Sequence, residues 1–266
     1  MPHLFDPLPL GSLTLANRVF VSPMCQYSAV DGVATDWHLV HIGSRAVGGA
    51  GLVITEATAV TRDGRISLSD LGLWDDSHVA ALRRITSFVH DETPARVGVQ
   101  LSHAGRKAAT HRPWDGGHPL SASEGAWHPF APSALPFSPS SQTPRAMTPE
   151  DIAGIIEAFA HAAVRAESAG FDVIELHAAH GYLLHQFLSP LSNHRTDAYG
   201  GGFDGRTRLL REVVARIKAS LSSRCLLFVR LSATDWVEGG WDLPQSVALA
   251  QDLSLIHISE PTRRRG

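Results

Sequence analysis

Short runs dominated by Val, Ile and Leu alternate along the chain with longer segments in which apolar residues recur every three or four positions. Continuous apolar runs mark strands buried on both faces, and the longer period marks amphipathic helices, so the alternation predicts strand–helix units around a parallel sheet. Five strands are predicted, at 19–25, 51–57, 96–103, 171–177 and 225–231, with a weak sixth at 255–259. Helices are predicted at 37–47, 76–90, 149–169 and 205–221, and a further one at 244–253. The third helix has the clearest start: Thr148 can cap it, Pro149 suits its first position, and Glu150 and Asp151 complement the positive end of its dipole. Gly170 then ends it. One connection breaks the rhythm. Residues 104–147 carry seven prolines and no strong period, and they follow a strand, which puts them at the edge of the sheet where such folds carry their sites. A lid is expected there.

An open doubly wound sheet and a (β/α)8 barrel both accommodate this alternation. A dinucleotide-binding sheet announces itself by G-x-G-x-x-G between a strand and a helix. Here Gly48-Gly49-Ala50-Gly51 precedes a strand, and Gly200-Gly201-Gly202 lacks the Lys-Ser/Thr of a phosphate loop. Polar residues decide the matter: Cys25, Glu56, Gln100, His103, His177, His180 and Arg230 fall at or just past the ends of different strands, which is how a barrel assembles a site. The expected fold is an α/β, (β/α)8 TIM barrel, incomplete, with about five to six of its eight strand–helix units in one domain over 1–253.

Composition narrows the chemistry. With 44% hydrophobic and 18% charged side chains, 266 residues can bury one sizeable core. Lys and Arg number 23 against 26 Asp and Glu, a net charge of −3, and this balance argues against a nucleic-acid or anionic-membrane partner. Cys25 and Cys225 are the only cysteines, which excludes a disulfide framework or a four-cysteine metal or iron–sulfur site within this chain. No stretch approaches the ~18 apolar residues of a membrane span, and the first 17 residues lack the pattern of a signal peptide. A cytoplasmic protein is expected.

The segment from Phe171 to Tyr182 is the most informative. Its strand ends near His177, and the short turn after it can bring His177, His180 and Tyr182 to one mouth. Two imidazole N–H donors aimed at one oxygen polarise a carbonyl, and a nearby Tyr hydroxyl can supply a proton. The same His-x-x-His with Glu175 could instead ligate zinc, giving a metal-dependent hydrolase or lyase. Arg230, in an apolar strand, needs an anion or a hydrogen-bond network, and Glu175 on the neighbouring strand is its candidate structural partner. Gln100 carries an amide that can match the mixed donor–acceptor edge of a heterocycle. Ser22-Pro23-Met24-Cys25-Gln26-Tyr27 closes the first strand, and since Pro23 cannot donate to a sheet, backbone groups around it are free for a ligand.

These motifs, with Thr55-Glu56-Ala57-Thr58, the run from Val99 to Arg106, the run from Phe187 to Gly201, and Phe228-Val229-Arg230-Leu231-Ser232, together resemble the Old Yellow Enzyme family. The resemblance is closest to its cysteine-containing, YqjM-like ene-reductase branch. It implies a TIM barrel holding FMN at its mouth, with NAD(P)H as co-substrate and an α,β-unsaturated carbonyl compound as substrate. By the same resemblance Ser22, Pro23, Met24, Cys25, Ala57, Gln100 and Arg230 contact the flavin. His177 and His180 bind the substrate's carbonyl oxygen with Tyr27 assisting, and Tyr182 donates the proton. A homo-oligomer is expected at full length.

The strand count leaves at least two barrel strands missing, together with the loops that grip the FMN phosphate in this family. The resemblance is expected to stop at Leu253, with 254–266 a non-native tail. An inactive truncated fragment is accordingly a further alternative, and this chain alone is expected to be insoluble or colourless.

Overall fold

In a computed structural model, which describes residues 3–222 and 224–256, the chain begins with a small antiparallel hairpin of β1 (Leu8–Leu10) and β2 (Leu13–Leu15). The elements that follow are β3 (Phe20–Val21), α1 (Asp36–Val47), β4 (Leu52–Ala59), α2 (Val79–Glu92) and β5 (Arg96–Ser102). A long connection then carries β6 (Phe130–Ala131) and β7 (Arg145–Ala146). The last group comprises α3 (Pro149–Ser168), β8 (Val173–Ala178), α4 (Leu183–Leu188), α5 (Phe203–Lys218), β9 (Leu226–Leu231) and α6 (Leu243–Ile256). Strands β3-β4-β5-β8-β9 pair in chain order, all parallel, as a curled open sheet that makes half a barrel.

Each strand splits its side chains between two cores because alternate residues face opposite sides. The outer set, including Val53, Val97, Val99, Leu101, Ile174 and Leu176, packs with Ile42 of α1, Leu82 and Ile85 of α2, Phe159 of α3 and Val213 of α5. The inner set near the strand starts is smaller: Leu52, Ile54 and Val173 close on Leu15, with Leu8, Leu10, Leu13, Leu226 and Phe228 packed against them. The N-terminal hairpin therefore plugs the bottom of the half-barrel. It escaped the sequence reading because two three-residue strands give too short an alternation to register.

Helix α3 starts as its sequence predicts. Thr148 Oγ1 accepts from Asp151 N at 3.2 Å, and the Asp151 carboxylate accepts from Thr148 N at 2.7 Å, which satisfies two otherwise orphaned donors. Other boundaries differ. The strand expected at 19–25 pairs only over Phe20–Val21, because Pro23 has no N–H to give and the chain turns away as a loop. The weak strand expected at 255–259 is not seen: residues 255 and 256 close α6, and 257–266, with most of the expected tail, lie outside the described residues.

The segment 104–147 is anchored at both ends and in its middle. Ala108, Ala109, Ala131 and Met147 are buried, Trp127 Nε1 donates to Asp63 O at 2.7 Å, and the Arg65 guanidinium lies between the Trp74 and Trp127 rings. No described helix is long and apolar enough to cross a membrane.

The plug makes a direct prediction. Leu15 is fully buried, so Leu15→Ala should destabilise the protein by about 2–5 kcal/mol through lost burial and a residual cavity. Urea denaturation should show a lowered midpoint at unchanged slope, and a midpoint shift within error would show that the hairpin does not close the core.

Candidate active site

Strand register stacks the inner side chains in rows. Ile54, Gly98, Val173 and Leu226 form one row, and Ala57, Gln100, Glu175 and Phe228 the next. His177 and Arg230 pair one step further toward the C-terminal ends. A bulge in β4 between Ile54 and Ala57 shifts the register there, so that Ala57, rather than Glu56, faces inward beside Gln100. Within two rows the inner face turns from apolar to polar.

Gln100 and Glu175 are joined across that row, Gln100 Nε2 donating to Glu175 Oε1 at 2.6 Å. Burial raises the Glu175 pKa against the opposing pull of this bond and of Arg230. The structural alternative, an ion pair between Glu175 and Arg230, does not form: Glu175 accepts from the Gln100 amide, and Arg230 makes no hydrogen bond or ion pair with any described residue.

The loop after β3 is held from beneath by Glu56. Its Oε2 accepts from Gln26 N at 3.0 Å, and its Oε1 lies 3.1 Å from His38 Nε2. His38 Nδ1 accepts from Thr35 N at 3.0 Å, which turns Nε2 toward the Glu56 carboxylate. Gln26 adds two ties, from Trp37 Nε1 to its Oε1 at 3.0 Å and from its Nε2 to Met24 O at 2.7 Å. Cys25 sits in this loop as a thiol, its pKa pushed up to about 12 by burial and by the Asp70 and Glu56 carboxylates. Tyr27, in the left-handed region at φ 49°, has its hydroxyl pKa raised by burial and meets Trp114 of the 104–147 segment edge-on at 5.4 Å. Ser22 and Met24 are exposed, and neither side chain is tied to another described group.

Across the mouth, His177 is 4% exposed and its Nδ1 is buried without a partner. Burial, with the cationic tendency of His180, Arg230 and Lys107 around it, pushes its pKa down to about 3. Its ring lies 5.1 Å from that of His180 and 4.8 Å from that of Tyr182, both edge-on. The turn that brings them together has positive φ at two successive residues, His180 and Gly181, of which only glycine adopts it freely. Burial also raises the Tyr182 hydroxyl pKa, so the group keeps its proton at neutral pH.

Three residues that sequence reasoning passed over support this turn. Lys107 Nζ donates to His180 O at 3.1 Å and lies 4.8 Å from the centre of the Tyr182 ring. His185 Nδ1 accepts from Gly181 N at 2.7 Å, and His185 Nε2 donates to Asp235 Oδ1 at 3.0 Å. Burial opposes ionisation of Asp235, but its bonds from His185, Ser189 and Trp241 N outweigh it and hold the pKa at about 2. His185 carried a signal, a third histidine within nine residues of His177. Asp235 carried none, because it lies 50 residues further along the chain. Among the described residues no three His, Cys, Asp or Glu side chains converge on a metal-binding set, so His177, His180 and Glu175 do not form the alternative zinc site.

Comparison with known proteins places the chain among flavin oxidoreductases. The pattern of one family, described as NADH:flavin oxidoreductase / NADH oxidase, matches residues 3–262. An NADH:flavin oxidoreductase of Gibberella zeae is 47% identical over 94% of this chain and 64% of its own length. The NADPH dehydrogenase of Bacillus subtilis is 45% identical over 93% of this chain and 69% of its own. The chain thus spans about two thirds of the length of these relatives. Among solved structures, morphinone reductase in complex with tetrahydroNAD superimposes with a TM-score of 0.83 at 33% identity, covering 97% of this chain and 72% of that one. The Old Yellow Enzyme from Pichia sp. gives 0.82 at 31% identity, covering 95% and 67%.

Native His177 is depressed to about 3, against about 6.5 in an unfolded chain. Only the unfolded state then takes up this proton as pH falls from about 6.5, so the residue lowers stability progressively down to about pH 3. Histidine-selective NMR should find no His177 inflection above pH 5. A midpoint near the unfolded value would show that the ring is solvated.

Proposed function

The chain belongs to the NADH:flavin oxidoreductase / NADH oxidase family, and on that premise we propose that it forms the flavin-binding barrel of an FMN-dependent ene-reductase. The enzyme takes reducing equivalents from NAD(P)H and saturates the C=C bond of an α,β-unsaturated ketone, aldehyde or imide. The observation that carries the proposal is the unsatisfied polar set at the mouth. Among the described residues Gln100 Oε1 accepts no bond, Arg230 has no hydrogen-bond or ion-pair partner, and His177 Nδ1 is buried and bare. Leaving the buried His177 nitrogen unpaired is costly, and a ligand rich in carbonyl and N–H groups would complete all three.

FMN fits that donor set. Gln100 would meet the pyrimidine edge of the ring, Arg230 would offset the negative charge that gathers there on reduction, and Ala57 with Ser22, Pro23, Met24 and Cys25 would line the remaining contact. When bound, FMN would supply the hydride chemistry that links NAD(P)H to the substrate's β-carbon. His177 and His180 hold the substrate's carbonyl oxygen. Both are kept neutral by burial and neighbouring cations, so they donate N–H bonds without competing for the proton. Tyr27 assists at the same oxygen. Tyr182 keeps its hydroxyl proton and delivers it to the α-carbon. Cys25, held as a thiol, acts on the ring as a neutral neighbour rather than as a nucleophile. This thiol and the 45% identity to a bacterial NADPH dehydrogenase support placement in the cysteine-containing branch.

The test separates the two half-reactions by stopped flow. Tyr182→Phe should leave flavin reduction by NADPH unchanged and slow reoxidation by an enone by roughly 10²–10⁴, the range of a positioned general acid. Equal slowing of both halves would contradict the assignment.

A further inference from the structure

Glu175 has no role in the mechanism above, yet its carboxylate is placed inside the barrel, where an ionisable group is costly unless it serves a purpose. It stands on the inner face of β8, two residues before His177, and its one hydrogen bond among the described residues is the 2.6 Å contact from Gln100 Nε2. Register pairs these two residues directly. An ionised carboxylate only accepts hydrogen bonds, so it selects one of the two nearly isosteric flips of the glutamine amide. The NH2 end is committed to Glu175. The carbonyl end, Oε1, which only accepts, has no partner among the described residues.

Building on the flavin reading above, we propose that Glu175 is a positioning residue that locks the Gln100 amide so that its Oε1 faces an N–H of the flavin's pyrimidine ring. A glutamine without this lock could turn its NH2 to the ring's carbonyls instead. The lock therefore makes the site select a ring edge that carries a donor.

A double-mutant cycle on FMN affinity, read by quenching of flavin fluorescence on the full-length protein, tests this without relying on turnover. Glu175→Leu should weaken FMN binding about tenfold or more, the loss expected for one charge-assisted hydrogen bond. Glu175→Gln should weaken binding by an intermediate factor, because its amide can accept from or donate to Gln100 and no longer selects one flip. In a Gln100→Ala background, Glu175→Leu should have no further effect. A second readout uses FMN methylated at N3, which lacks the ring donor: wild type should discriminate against it strongly, and Glu175→Leu should discriminate less. Additive losses in the cycle, or equal discrimination by both proteins, would overturn the positioning role and leave the flavin reading standing. Failure of the wild type to bind FMN at all would overturn both.

Discussion

Parallel pairing aligns the inner residues of four strands into rows, and the character of those rows changes abruptly up the sheet. The row of Ile54, Gly98, Val173 and Leu226 is apolar, and the N-terminal hairpin covers it. The next row already holds Gln100 and Glu175, and the one above it His177 and Arg230. Hydrophobic burial at the bottom fixes the strands, and the fixed strands hold polar side chains at separations that solvent would not impose. The β4 bulge belongs to the same constraint. By moving Ala57 inward it frees Glu56 to reach back under the Cys25 loop and tie that loop to α1 through His38.

Burial also decides the charge state of the mouth. Desolvation keeps Cys25 and Tyr182 protonated and His177 unprotonated, so the groups best placed to touch a substrate are neutral hydrogen-bonding groups. Fixed charge lies in Arg230 and Lys107. The carboxylates nearby are engaged: Glu175 by Gln100, Glu56 by His38 and Gln26, and Asp235 by His185. Such a mouth favours a neutral carbonyl whose oxygen gains charge as it reacts, since the donors are preorganised and no free anion competes for them.

Much of this was visible in the amino-acid order. Runs such as 51–57 and 225–231 are apolar enough to be strands in any parallel sheet, and the polar residue at or near the end of each run marked the mouth. Histidines 177 and 180 and Tyr182 were found because they are neighbours in one turn. What remained hidden depends on distant pairing. The bulge at Thr55 and Glu56 cannot be read from one strand alone, the hairpin plug is too short to show a period, and Asp235 meets His185 only because β9 lies beside β8. The choice between an ion pair with Glu175 and an open Arg230 stayed undecided for a similar reason. Sequence identifies adjacent strands, but side-chain geometry chooses between an amide and a guanidinium.

The central claim is that the polar rows inside the half-barrel are a binding surface for a flavin ring. A crystal structure of the protein grown with FMN tests it most directly. The account predicts ring density over Ala57 and Gln100, with Gln100 Oε1 and the Arg230 guanidinium within hydrogen-bonding distance of the pyrimidine edge and Cys25 beside the ring. A ring bound elsewhere, or a mouth in which Arg230 has turned onto Glu175 with no flavin present, would contradict it.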